Sequence, residues 1–444
     1  KVKNKEPGKK RASFKYDAHF YNILDYFILV VLIAGVLLFI LYPLLCMIKQ
    51  SFVGDAGFTI EVYQSIFTEH MKLVKNSTFV GLLTALFSTV LGLFVAISVW
   101  VAGNKAGKIL ESILLISMVS PPFVSSLAYI QLFGRNGLIT KRMLGLSINP
   151  YGWVGVVVMQ TMFFASLNAL MIIGMLRKVD MSLVRASADL GASSGYTLWR
   201  IVVPLLRPIL LSCFLLSFIR SVSDYGTPVV IGGRFETVST EIYMQVIGFS
   251  RLDKSAALNV LILIPAVLVF AAYRYLMKKN ERLISGNSNK TMESGDSYRV
   301  KGLSALLVWF GAAVFYVMMA LVYGSIFLNS FTKNMRGKLK FTTEYLDALL
   351  ERNMDTFIRS VEYALVVAIV GSLIGILLSY YIDRRKIRFG GLLDFIITMP
   401  YMLPGSCFGI GYILAFNHEP LKLTGTALIV ILNMIYKQMS ITTK

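Results

Sequence analysis

The chain has 444 residues, 56% of them hydrophobic and 15% charged, with a mean hydropathy of +0.67. Average soluble domains carry about 25% charged residues, so a water-soluble globule, a disordered chain and a disulfide scaffold are all excluded. Forty-four Lys and Arg against 24 Asp and Glu give a formal charge of +20, and the placement of those charges decides their meaning.

A hydrocarbon core of about 30 Å takes about 20 consecutive apolar residues in a helix. Ten such runs are predicted, over 26–48, 77–101, 109–133, 152–176, 206–223, 255–277, 303–328, 359–382, 392–416 and 423–436. The first follows a basic segment, 1–25, is too long for a secretory signal and is not followed by a small-residue cleavage pattern, so it is expected to stay in the mature chain. With the N-terminus cytoplasmic, the inner loops and tails hold 26 Lys and Arg and the outer loops 15, the direction of the positive-inside bias. Basic runs such as Arg384, Arg385, Lys386 and Arg388 then read as anchors to anionic membrane lipid, and nucleic acid is not an expected partner.

Cys46, Cys213 and Cys407 all fall in apolar runs, and His19, His70 and His418 are scattered. No disulfide framework or metal site is expected from that spacing. A phosphate-binding loop needs G-x-x-x-x-G-K-[ST]. The nearest approach, Gly103 to Lys108, is one residue short and is followed by Ile109. The chain is therefore expected to bind no cofactor and, with no clustered catalytic groups, not to be an enzyme.

Sliding the chain on itself by 283 positions aligns 76–133 with 359–416 without a gap. Eleven positions are identical, among them Gly92 with Gly375, Pro121 with Pro404, Tyr129 with Tyr412 and Phe133 with Phe416. In membrane helices glycine and proline mark close contacts and breaks. An even number of runs separates the copies, so both point the same way, a parallel internal repeat. The approaches also echo, since Ser51–Phe52 before FTIEVY returns as Ser330–Phe331 before FTTEYL. The organisation read from this is a basic N-terminus over 1–25, a first unit over 26–278, a polar cytoplasmic linker over 279–302, and a second, incomplete unit over 303–444 with about four spans.

The stretch 177–205, RKVDMSLVRASADLGASSGYTLWRIVVPL, is predicted to hold two short helices. Met181 to Leu190 has Asp180 or Ser182 as N-cap, Gly191 ends it as a glycine able to take positive φ, and an amphipathic segment from Tyr196 to Val203 runs into Pro204. Such a pair makes a rigid knob beside the bilayer. The spacing of Ala186, Gly191, Ile201 and Pro204 resembles the EAA loop of binding-protein-dependent ABC importer permeases, E-A-A-x3-G-x9-I-x-L-P. Arg185 stands where the family has Glu, Ser187 where it has the second Ala, and Val203 where it has Leu. The segments SPPFVSSLAYIQLFGRNGLIT (120–140), SDYGTPVVIGGRFETVSTEIYMQVIGF (223–249) and MPYMLPGSCFGIGYI (399–413) are similar to fused two-copy permeases of the ferric-iron type.

That resemblance implies an all-α polytopic membrane protein of the type I ABC importer permease (MetI-like) fold, in the bacterial inner membrane. It implies two ATP-binding subunits that dock at the knob, through Arg185, Ala186, Ser187, Asp189, Gly191, Ile201 and Pro204, and hydrolyse the ATP. It also implies an extracytoplasmic substrate-binding protein, which the loop 224–254 is expected to face. A second knob glycine would fall at position 464, so the sequence resembles a chain truncated before its second EAA loop. Candidate pathway residues are Pro121, Pro122, Ser125 and Ser126, with Pro404 and Ser406 at matching depth in the other copy, and Arg220 with Asp224, four apart on one helix face. Same-fold permeases for phosphonate or another small solute, and an ion-coupled secondary transporter, are the alternatives.

Overall fold

The computed structural model describes residues 23–443 apart from 55–56, 59, 61–62, 65–70, 120–121, 147–148, 286–297 and 336–337. In chain order the helices are α1 (Ile23–Gln50), α2 (Met71–Val101), α3 (Gly103–Val119), α4 (Pro122–Phe133), α5 (Trp153–Leu176), α6 (Met181–Asp189), α7 (Ser194–Leu205), α8 (Arg207–Ser223), α9 (Gly226–Ile231), α10 (Val238–Ile247), α11 (Leu252–Ser285), α12 (Leu303–Ser330), α13 (Glu344–Arg384), α14 (Gly390–Met402), α15 (Gly405–Phe416) and α16 (Ala427–Thr442). Two antiparallel hairpins stand in the loops, β1 (Val53–Gly54) with β2 (Gly57–Phe58) and β3 (Thr332–Met335) with β4 (Lys338–Phe341).

The ten apolar runs correspond to six long helices, three bent helix pairs and one shorter helix among the described residues. Among the described residues six helices are long and apolar enough to cross a bilayer unbroken, namely α1, α2, α5, α11, α12 and α13. Three runs are broken: α3 stops at Val119 and α4 starts at Pro122, α7 meets α8 at a 63° bend about Leu206, and α14 ends two residues before α15 begins. The tenth is the 16-residue α16.

Three boundaries differ from the sequence reading for identifiable reasons. The run placed at 423–436 forms a helix only from Ala427, because Gly425 has φ +85° and Thr426 caps the helix by accepting from the Ile429 N–H. Helix α13 begins fifteen residues ahead of its apolar run, since Glu344 and Asp347 occupy its first turn, where acids suit a helix N-terminus. Helix α11 runs past 277 to Ser285 through Lys, Glu, Arg and Leu, all good helix formers. The predicted linker 279–302 therefore begins as helix, and its middle, 286–297, lies outside the described residues.

The repeat appears in the element boundaries. Shifted by 283, Pro122–Phe133 becomes Gly405–Phe416, the bounds of α15. Gly92 and Gly375 each permit a close helix approach: a Cβ on Gly92 would sit 2.8 Å from the Asn168 side chain of α5, and one on Gly375 2.7 Å from Thr442 of α16. Tyr129 meets Phe133 at 5.2 Å, and Tyr412 meets Phe416 at 5.3 Å. The echoed Ser-Phe pairs close equivalent hairpins, with Phe52 stacked on Phe58 and Phe331 on Phe341.

The chain divides into two compact units that do not follow the two copies. One comprises 47–357 with 402–410, and the other 1–46, 358–401 and 411–444. In the first, Leu93, Ala165, Ile172, Leu198, Cys213 and Phe315 belong to one buried core that unites α2, α5, α7, α8 and α12. The first helix of the second copy, α12, is thus built into the first copy. In the other unit α1 packs with the second copy: Phe39 stacks on Tyr436 at 5.0 Å, the Tyr412 hydroxyl donates to the Phe39 carbonyl at 2.7 Å, and Arg385 pairs with Asp25 at 3.0 Å. Boundaries at 26–278 and 303–444 mark sequence copies, not packing units.

Candidate functional site

The knob forms as a helix, a glycine turn and a second helix. The Asp180 carboxylate caps α6 by accepting from the Ser182 N–H at 2.9 Å, so Asp180 and not Ser182 is the N-cap. Gly191 has φ +79° with open space about its α-carbon, a conformation costing an L-residue about 1–2 kcal/mol. The Gly191 and Ala192 N–H groups donate to the carbonyls of Ala188 and Ser187, which closes the helix end in the manner of a glycine C-cap. Ser193 then caps α7 by accepting from the Tyr196 N–H.

The buried side of the knob is continuous with the membrane core. Val184, Leu198, Val202 and Leu206 are buried among residues of α2, α5 and α8, and full burial of one such side chain stabilises by about 1.5–3 kcal/mol. Ser187 is buried as well, with its Oγ 2.8 Å from Thr197 Oγ1, so one hydroxyl pair joins the two helices. Ile201 and Pro204 are half-buried where α7 re-enters the core. Arg185, Ala186 and Asp189 are exposed, beside exposed Leu183, Leu190 and Tyr196. Leu190 is 88% exposed at the tip. The outer face therefore offers apolar area with mixed charge, the composition of a docking surface. At the foot of the knob Arg177 pairs with Glu111 of α3 at 2.6 Å.

The chain entering α12 clasps the knob from the side. The Tyr298 hydroxyl donates to the Ser194 carbonyl, the Lys301 N–H donates to Ser194 Oγ at 3.0 Å, and Trp199 Nε1–H donates to Ser304 Oγ at 3.2 Å. Tyr298 also lies against Trp100 at 5.0 Å, and its burial pushes the phenol above its ordinary pKa.

The pathway candidates are not gathered in one place. Pro121 lies outside the described residues, and Pro122 opens α4. Ser125 and Ser126 are buried in α4, and Pro404 is buried before α15. Ser406 donates to Asn259 Oδ1 of α11 at 2.8 Å. Arg220 stands half-buried in the last turn of α8. Asp224 follows it, accepting from Gln160 Nε2 at 3.0 Å and from the N–H groups of Gly226 and Thr227. A cavity of about 840 Å³ opens beside α4, between Leu127, Gln131, Arg142, Asn329 and Tyr345, and among the described residues none of the candidates lines it.

A polar ladder inside the core went unread in the sequence. Asn168 of α5 bonds Ser88 of α2 and Ser217 of α8 at 3.2 and 2.9 Å. Two turns along, Gln160 accepts from Thr84 at 3.1 Å and from Ser221 at 2.6 Å and donates to Asp224. Its signal was present, since Thr84 with Ser88 and Ser217 with Ser221 are each four apart, one helix face in otherwise apolar runs. Among the described residues no group of three His, Cys, Asp or Glu is placed to hold a metal ion.

Comparison with known proteins gives matches to a family, to curated relatives and to a solved structure. Residues 88–283 match the family described as "Binding-protein-dependent transport system inner membrane component". A protein of Haemophilus influenzae named as ferric transport system permease protein FbpB 1 is 30% identical over 439 residues, covering 94% of this chain and 68% of that one. The ferric transport system permease protein FbpB of Actinobacillus pleuropneumoniae is 29% identical, with 94% and 63% covered. The molybdenum transport system permease protein ModB of Mycobacterium bovis is 33% identical over 198 residues, 42% of this chain and 73% of that one. A solved structure of the MetNI methionine ABC transporter in inward facing conformations is 16% identical and covers 49% of this chain, with a TM-score of 0.36.

Proposed function

Given that this chain belongs to the family of inner membrane components of binding-protein-dependent transport systems, a family of multi-pass membrane permeases, we propose that it carries ferric iron in an ATP-driven importer. In this reading two ATP-binding subunits dock on the knob over 177–205 from the cytoplasm, the N-terminus lies on the same side, and a substrate-binding protein delivers the cargo to the opposite face. The single observation that carries the reading is the knob itself. Its inner face is fixed in the core through Val184, Leu198 and Val202, and its outer face presents Leu183, Leu190 and Tyr196 to solvent.

Arg185 stands on the exposed outer face of the knob where the EAA pattern has Glu, and makes that face more basic. In this reading ATP is bound and hydrolysed by the partner subunits. The ferric assignment draws on the two relatives named above, of whose lengths this chain spans 68% and 63%.

The test is uptake of radiolabelled ferric citrate by a strain lacking its own ferric importer and supplied with this chain, its neighbouring ATPase and binding protein. ATP-dependent accumulation is the expected result. Uptake of labelled phosphonate or molybdate with no iron uptake would reassign the cargo, and uptake that persists without an ATPase would replace the importer reading with ion-coupled transport.

A further inference from the structure

Resting on the permease reading, we propose that residues 298–304 and helix α12 form one rigid rod that carries knob displacement across the bilayer to the last turn of α3 and to α4. Tyr298, Trp199, Ser304 and Tyr323 are its positioning residues.

At the near end the rod is fastened to α7 at three points, the Ser194 carbonyl, Ser194 Oγ and Trp199 Nε1. The fit leaves no slack: a Cβ on Gly195 would stand 2.5 Å from Ser304 Oγ and 3.3 Å from its Cβ. Tyr298 and Val300 pack against the same core that holds Leu198 and Val202, so this stretch cannot slide over the knob without opening that core. Gly302, with φ +69°, turns the chain into α12 at once, leaving no flexible spacer between the clasp and the helix.

The shaft is stiff and closely seated. Helix α12 is unbroken from Leu303 to Ser330 and has no internal proline. Gly311 lets it approach α2 so closely that a Cβ there would lie 2.6 Å from the Phe94 ring. At the far end the Tyr323 hydroxyl donates to the carbonyls of Ile116 and Ser117, at 3.3 and 3.1 Å, in the last turn of α3 before it stops at Val119. Asn329 donates to Gln131 on α4, beyond the break. The nineteen steps from Ser304 to Tyr323 span about 28 Å at 1.5 Å per step, nearly the hydrocarbon thickness. A push on α7 thus has a continuous, hydrogen-bonded route to the last turn of α3 and to Gln131 of α4.

Vesicles containing the full chain with its ATPase and binding protein decide it, through two readouts: uptake per ATP, and stimulation of hydrolysis by the binding protein. Tyr298→Phe with Trp199→Phe, and separately Tyr323→Phe, are expected to keep the ATPase bound and hydrolysing while uptake per ATP falls at least tenfold and stimulation disappears. A purely structural role would lower hydrolysis and ATPase binding together, and wild-type coupling in these variants overturns the rod. The pair Gly195→Cys and Ser304→Cys adds an independent measurement, because its Cβ atoms would lie near the separation a disulfide accepts, about 3.5–4.5 Å. If clasp and knob move as one body, oxidation leaves uptake at the reduced level. Loss of uptake on oxidation, restored by reductant, shows that they slide apart in each cycle and overturns the proposal. An unmodified chain with no ATP-driven uptake of any cargo would instead remove the permease reading itself, and the rod with it.

Discussion

Ser187 and Thr197 join the two helices of the knob through hydroxyl oxygens 2.8 Å apart. Ser187 is also one of the three departures from the EAA pattern, so the substitution has a structural consequence: a buried polar link stands where the family pattern has a methyl group. Such a bond is worth a net stabilisation of about 0.5–1.5 kcal/mol. Thr197 retains a second acceptor in the Ser193 carbonyl, which limits the damage when Ser187 is removed. Ser187→Ala is expected to speed amide exchange across Met181–Asp189 by about fivefold, corresponding to about 1 kcal/mol. Unchanged exchange there would show that the pair contributes nothing.

Gly191 offers a sharper contrast. Its positive φ sits in open space, so a substitution meets backbone strain and no steric clash. Asn, which tolerates the left-handed region, is expected to preserve coupling, while Val loses about 1–2 kcal/mol of turn stability and Pro, or deletion of 185–191, abolishes ATP-driven uptake with membrane insertion intact. Normal uptake by the deletion variant would refute the coupling role.

The repeat-related glycines should fail alike. A valine at Gly92 or at Gly375 has to displace Asn168 or Thr442, and overpacking of this kind costs about 1–3 kcal/mol. Each variant is expected to lower the thermal midpoint in detergent, and Gly371→Val, where a Cβ meets nothing within 4 Å, is the control expected to leave it unchanged. Equal midpoints for all three would remove the close-approach argument.

Gln160→Leu tests the polar ladder. It takes a donor from Asp224 and an acceptor from both Thr84 and Ser221, leaving buried groups partly unsatisfied at about 1–3 kcal/mol. Gln160→Glu, which keeps the acceptor but sets a second carboxylate against Asp224, is expected to be worse at neutral pH and to recover as the pH falls and one of the two acids takes up a proton. A pH-independent midpoint for Gln160→Glu would show that Asp224 does not sense that position.

Much of this was legible in the residues themselves. Apolar length located the six long helices, and the glycine spacing located the knob, because both signals are local. The 283-residue offset picked out Gly92 and Gly375 before any contact was known. Hydropathy could not read where spans break or how far helices run beyond the membrane, as Thr426 and Glu344 show, since caps and polar turns carry no apolar signal. The ladder of Asn168 and Gln160 was hidden for a related reason: a few amides in a long apolar run barely change its mean. The clasp of Tyr298 on Ser194 joins residues 104 apart, and nothing in either neighbourhood announces the other.

The placement of α1 and α12 bears on how such a chain can be cut and rejoined. Each copy lends its opening helix to the compact unit that holds most of the other. Proteolysis within 286–297 should therefore leave a nicked protein that still migrates as one particle, and either fragment made alone should be left with an unfilled berth where the other's leading helix belongs. Two genes encoding the fragments would have to be translated together to yield a sound product, a demand that a single fused reading frame meets automatically.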